Sequence, residues 1–182
     1  MKTLVLSDSK GGNTEKVALR IHQSLKATGQ ISNLVRVTED AKIDLDAYDI
    51  LFLGSPVYAW LPTDAMIGFV KKKMSDYRQQ GRIVPASPVK KWKFAVCFCT
   101  FSGTHIGEEE AVVATRWLGA FAGHIGYRVI GYWHIAGEFH NRDDLNIKGR
   151  LGDIRGRPNA RDLKDVENRV KGLIASLVHW QS

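Results

Sequence analysis

The sequence predicts a doubly wound α/β domain, with five parallel strands covered by helices on both faces. Three observations support this. Apolar runs of strand length alternate five times with segments of helical period. Runs such as 49–54 (DILFLG) and 94–100 (FAVCFCT) are almost continuously apolar, as parallel strands buried on both faces must be. The third observation is that the unusual residues fall in the loops after the first, third and fourth runs. With 182 residues, 44% of them hydrophobic, the chain is large enough to bury a core as one domain spanning 1–182.

In order along the chain, the first strand covers about 2–7. It enters the loop S-D-S-K-G-G-N-T (7–14), and a helix follows over 14–27, with Val17, Ala18, Ile21 and Leu25 on one face and Gly29 as its stop. A second strand is expected around 34–37 and a third at 49–54. The loop S-P-V-Y-A-W-L-P (55–62) leads to a helix from Thr63, with Met66, Ile67, Val70 and Met74 facing the core. A basic connection, 77–91, precedes the fourth strand at 94–100. That strand ends in F-S-G-T-H-I-G (101–107), before a helix that starts with Glu108, Glu109 and Glu110, the favourable sign for a helix N-terminus. The fifth strand is 128–135. Residues 137–158 contain four glycines and no clean period, and are expected to be a long irregular loop, mobile or decorative. In the final helix Asn159 and Asp162 form a capping box, and Leu163, Val166, Val170, Leu173 and Leu177 make the apolar stripe.

Composition narrows the function classes. There is no run of about 18 apolar residues and no secretion signal, so the cytoplasm is the expected compartment, without a membrane span. Cys97 and Cys99 are read as buried thiols; with no neighbouring histidine they do not make a metal site, and His124, His134, His140 and His179 show no ligand spacing. Trp92, Trp117 and Trp180 are read as packing residues. The net charge of +7 resides entirely in residues 71–93, where eight basic residues (Lys71, Lys72, Lys73, Arg78, Arg82, Lys90, Lys91, Lys93) meet one acid, Asp76. Topology puts this segment at the end of the sheet away from the loops of interest. It is therefore read as a solvated basic face rather than a nucleic-acid surface.

In a sheet of order 2-1-3-4-5, the loops after strands one, three and four meet at the switch point, where ligands bind. The first loop suits a phosphate. Ser7, Ser9 and Thr14 offer hydroxyls, Gly11 and Gly12 allow close backbone approach, Asn13 is placed to cap the helix, and the helix start supplies unpaired N–H groups. The second loop presents Tyr58 and Trp60, and the third Phe101, Ser102, Gly103, Thr104 and His105. Such a set fits a planar heterocycle on a phosphorylated chain. His105 is open to two readings, a proton donor to a bound ring or a solvent-facing side chain.

At these residues the sequence resembles the flavodoxin superfamily, on the K-G-G-N-T of the first loop, the G-S-P-V-Y of the second and the G-R-P-N-x-x-D-L that opens the last helix. The resemblance implies a flavodoxin-like three-layer α/β/α fold and bound FMN. Ser7, Ser9, Lys10, Gly12, Asn13 and Thr14 would hold the phosphate, Pro56, Val57, Tyr58, Ala59 and Trp60 would flank the ring, and Thr100, Phe101, Ser102 and Gly103 would form the opposite wall. No residue is required as a catalytic acid or base. The implied activity is electron transfer or NAD(P)H-dependent reduction through the flavin. Its partner would be a redox protein or NAD(P)H, with a small-molecule acceptor as a further option, and the protein would be a monomer or homodimer. Leu6 and Ser9 stand where the reductase form of the first loop has Gly and Arg, and the basic charge departs from acidic electron carriers. Those departures sustain a second reading, a flavodoxin-like domain without flavin that serves as a phosphate-ligand or protein-interaction module.

Overall fold

The computed structural model describes residues 1–38 and 41–179. Trp180 therefore lies outside the described residues. The chain forms a five-stranded parallel sheet of order β2-β1-β3-β4-β5, the predicted topology. Its strands are β1 (Lys2–Ser7), β2 (Ile31–Arg36), β3 (Ile50–Pro56), β4 (Phe94–Phe101) and β5 (Arg128–Ala136). The helices are α1 (Asn13–Ala27), α2 (Asp64–Gln79), α3 (Glu109–His124), α4 (Asp143–Lys148) and α5 (Ala160–His179).

Alternation along each strand divides the core in two. Leu4, Leu6, Leu51, Leu53, Ala95 and Cys97 point to the side carrying Met66 and Phe69 of α2 and Leu118 and Phe121 of α3. Val5, Ile50, Phe52, Val96 and Phe98 point the other way, onto Val17 and Ile21 of α1 and Val166, Val170 and Ile174 of α5. Among the described residues no helix is long and apolar enough to cross a membrane.

Several local expectations change. β2 starts three residues earlier than its apolar stretch, because backbone pairing from Lys2↔Ile31 onward defines it while its edge position leaves Ile31 and Leu34 exposed. α2 buries Met66, Phe69, Val70, Lys73 and Tyr77, so Phe69 and Tyr77 join the expected inner face, Met74 packs half-buried at its edge, and Ile67 is not part of that core. In α5, Ile174 rather than Leu173 completes the fully buried stripe. Residues 137–158 are not a featureless loop: they contain α4 and are tied together by internal hydrogen bonds. Trp92 is 37% exposed with φ +60°, so it is not a core residue, whereas Trp117 packs at the edge of the α2/α3 core.

The basic segment is also less solvated than its composition suggests. Lys73 is buried and donates to the Ile43 carbonyl at 2.6 Å. Arg82 pairs with Asp44 and Asp46, Lys90 with Asp46 at 2.7 Å, and Lys93 reaches the Asp46 and Tyr48 carbonyls at 2.8 Å each. Much of the positive charge thus clamps the β2–β3 connection. The carboxyls of Asp44 and Asp46 are held below the usual range. At Asp44 the Arg82 hydrogen bond is the largest cause, and at Asp46 burial opposes the shift but the bonds from Lys90 and Arg82 outweigh it.

Candidate functional site

The C-terminal ends of β1, β3 and β4 deliver their loops to one cleft of about 300 Å³. Ser9, Lys10, Asn13 and Thr14 line it from the first loop, Pro56, Val57 and Tyr58 from the second, and Thr100, Phe101 and Ser102 from the third. The first loop is shaped by Gly12, the N-cap of α1, whose φ of +89° lies in the left-handed region. Its N–H donates to Ser9 Oγ at 3.1 Å, which fixes the loop's curl. The first intrahelical bond runs from Lys16 N–H to the Gly12 carbonyl, so the N–H groups of Asn13, Thr14 and Glu15 have no partner within the helix.

Asn13 is the first helical residue rather than the cap. Its Nδ2 donates 3.0 Å to the Glu138 carbonyl, while its Oδ1 is buried with no hydrogen-bond partner. Thr14 is fully buried, and its hydroxyl pairs with that of Thr100 at 2.7 Å, joining the first loop to the end of β4.

The second loop is a tight hairpin. Tyr58 and Leu61 exchange both backbone bonds at 2.9 Å, and the two residues between them, Ala59 and Trp60, have φ of +46° and +66°. Its tip projects outward, and Trp60 is 57% exposed. The base is closed by Thr63, whose N–H donates to Ser55 Oγ at 3.0 Å and whose hydroxyl donates to the buried Asp8 carboxylate at 2.6 Å. Asp8 thereby ties the first loop to the second. The Lys10 ammonium lies 4.9 Å above the centre of the Tyr58 ring.

The remaining predicted residues do not line the cleft. Ser7 ends β1 and borders a separate groove with Leu34 and Arg36. Gly12 shapes the first loop from behind, and Ala59 and Trp60 sit at the hairpin tip beyond the lining. Gly103, with φ +60°, is wedged so that a Cβ would approach Leu151 and Phe101 to 2.8 and 2.9 Å. His105 is exposed and outside the lining; its N–H and that of Ile106 donate to Glu110 Oε1.

Sequence reasoning missed the fourth wall, which is Gly137, Glu138, Phe139 and His140. Gly137 N–H donates to the Phe101 carbonyl at 2.9 Å, carrying the chain from β5 directly into the cleft. A glycine immediately after a strand that neighbours β4 was the available signal. Behind Phe101, His134 Nδ1 meets Glu108 at 2.7 Å and Nε2 meets the buried Thr115 hydroxyl at 2.9 Å. Burial pushes the Cys97 thiol up to about 12, and Cys99 is raised as well, so neither is a thiolate near neutral pH. Among the described residues no group of three His, Cys, Asp or Glu is arranged to hold a metal.

Comparison with solved structures places the architecture among flavodoxins. Oxidised flavodoxin 1 from Bacillus cereus superposes with a TM-score of 0.68 at 15% identity, over 96% of this chain and 98% of that one. The flavodoxin of Streptococcus pneumoniae TIGR4 gives 0.64 at 14% identity, over 97% and 99%. Rubredoxin oxygen:oxidoreductase from Desulfovibrio gigas gives 0.61 at 15% identity, over 98% of this chain but only 36% of that one. At these identities the likeness is one of fold. No curated protein sequence matches the chain. The model of the flavodoxin domain matches residues 4–134, from β1 to all but the end of β5, and the chain therefore belongs to the flavodoxin domain family.

Proposed function

We propose that the protein is an FMN-binding flavoprotein that passes electrons through a ring held between the second and third loops. The observation that carries this reading is that an anion-competent helix start and two aromatic side chains, Tyr58 and Phe101, share one cleft. The donor set fits the group. The unpartnered N–H groups at the start of α1 suit a phosphate, and the buried Asn13 Oδ1, which can only accept, suits a hydroxyl of a polyol chain next to that phosphate. FMN supplies a ring that takes up and releases one or two electrons.

The protein's own contribution is binding and orientation. Gly12 holds the loop open for the phosphate, Asn13 positions the chain that joins phosphate to ring, and Tyr58 and Phe101 provide apolar faces that exclude water. Lys10, lying over Tyr58, adds a positive charge beside the ring face.

The test is reconstitution. Purified protein incubated with FMN is expected to show a bound-flavin absorption spectrum and a raised melting temperature. A protein that remains colourless, with no thermal shift, would refute the proposal and favour a flavin-free ligand or interaction module. Anaerobic mixing of the loaded protein with NADPH or NADH then separates two modes. Rapid bleaching identifies a reductase, and reduction only through a partner protein identifies a carrier.

A further inference from the structure

The segment 137–140 packs against the first loop, at Asn13 and at Gly11. A Cβ on Gly137 would come within 2.9 Å of Asn13 Nδ2, the same atom that donates to the Glu138 carbonyl. Phe139 is held by the buried Asn146, which accepts from its N–H at 2.7 Å and donates to its carbonyl at 2.9 Å. With Glu138 and Phe139 held, the imidazole of His140 lies across Gly11. A Cβ built on Gly11 would overlap the ring, with Nε2 only 2.6 Å away. The imidazole edge therefore fills the space that a side chain at position 11 would take, two residues before the first helical residue of α1. Among the described residues neither ring nitrogen of His140 has a hydrogen-bond partner.

We infer that His140 is a phosphate-binding residue of this site, donating from a ring nitrogen to the ligand phosphate where position 11 has no side chain of its own. The inference rests on the FMN reading above. It gives the segment after β5 a part in ligand recognition, and assigns the phosphate a donor distant in sequence from the first loop. A structural cover over Gly11 would affect every ligand of the cleft alike, whereas a phosphate donor affects only phosphorylated ones.

FMN and riboflavin differ by the phosphate alone, so the experiment measures both dissociation constants on flavin-free full-length protein, with melting curves as a check on folding. His140→Ala is expected to weaken FMN about tenfold, the scale of one hydrogen bond to a charged group, and to leave riboflavin unchanged. His140→Gln, which keeps an N–H donor, should recover most of the loss. Gly11→Ser should weaken FMN on its own by displacing the imidazole, yet restore it in the His140→Ala background, where its hydroxyl takes the vacated space. Equal weakening of both flavins, or no change in either, overturns the inference while leaving the flavin reading intact. Wild-type protein that binds neither flavin overturns both.

Discussion

Replacing Thr14 by Val tests whether its hydroxyl serves the fold or the ligand. Thr14 is fully buried and Thr100 is 4% exposed, and their hydroxyls meet at 2.7 Å. Valine leaves the Thr100 hydroxyl buried without that partner. An orphaned neutral polar group costs about 1–3 kcal/mol, and in a chain of this size each kcal/mol lowers the melting temperature by about 2–4 °C. The expected fall is therefore roughly 2–12 °C in differential scanning calorimetry of the flavin-free protein. Thr14→Val/Thr100→Val removes both hydroxyls and leaves no orphan, so it should melt close to wild type, with a coupling energy of about 1 kcal/mol or more in the double-mutant cycle. If Thr14→Val leaves the melt unchanged but abolishes FMN binding, the hydroxyl belongs to the ligand and the internal-pair account is wrong.

Arg82→Met should flatten the acid limb of the stability curve. Asp44 and Asp46 have folded pKa values below their unfolded value of 3.8, so the stability they contribute is present above that value and is lost as pH falls through the folded values. Urea midpoints between about pH 2 and 7 should fall less steeply with acid in the variant than in wild type; parallel curves would sink the assignment. The thiols give a simpler readout. With Cys97 raised to about 12 and Cys99 also raised, a disulfide reagent at about pH 8 should titrate neither in the folded protein and both in denaturant. Fast labelling of native protein would show that β4 opens far more readily than its full burial implies.

The parts of this molecule that sequence disclosed are those governed by local period and by topology. The near-continuous apolar runs specified β3 and β4, and the Asn159–Asp162 capping box at α5 forms as written, Asn159 N–H donating to Asp162 and the Asp162 N–H to Asn159. Topology also located the basic segment at the far end of the sheet. What it could not disclose were pairings made across the fold. Asn13 has the composition of a helix cap, but its amide is committed to Glu138, 125 residues away. Lys73, Arg82 and Lys90 look like surface charge until the 43–49 connection is folded against them. His140 shows no ligand spacing because its partner in space is the bare backbone of Gly11, which leaves no trace in a residue pattern. The start of β2 differs from its apolar stretch for a related reason: an edge strand is defined by its hydrogen bonds, and only half of its side chains need be apolar.

The hairpin tip at Ala59 and Trp60 has a consequence for engineering this domain. Two successive left-handed residues are the turn that an asparagine–glycine pair makes without strain, and for other residues each such conformation costs on the order of 1–3 kcal/mol. A designer seeking only stability would therefore combine Ala59→Asn with Trp60→Gly. The natural chain instead holds a large indole outward on a stiff two-residue arch, anchored through Thr63 to the buried Asp8. The arch sets where the Trp60 Cβ stands at the cleft mouth, while the indole, 57% exposed, keeps rotation about its own side-chain bonds. The backbone share of the entropy of ordering that tip has been met during folding, and only the side-chain share is left for the moment of encounter.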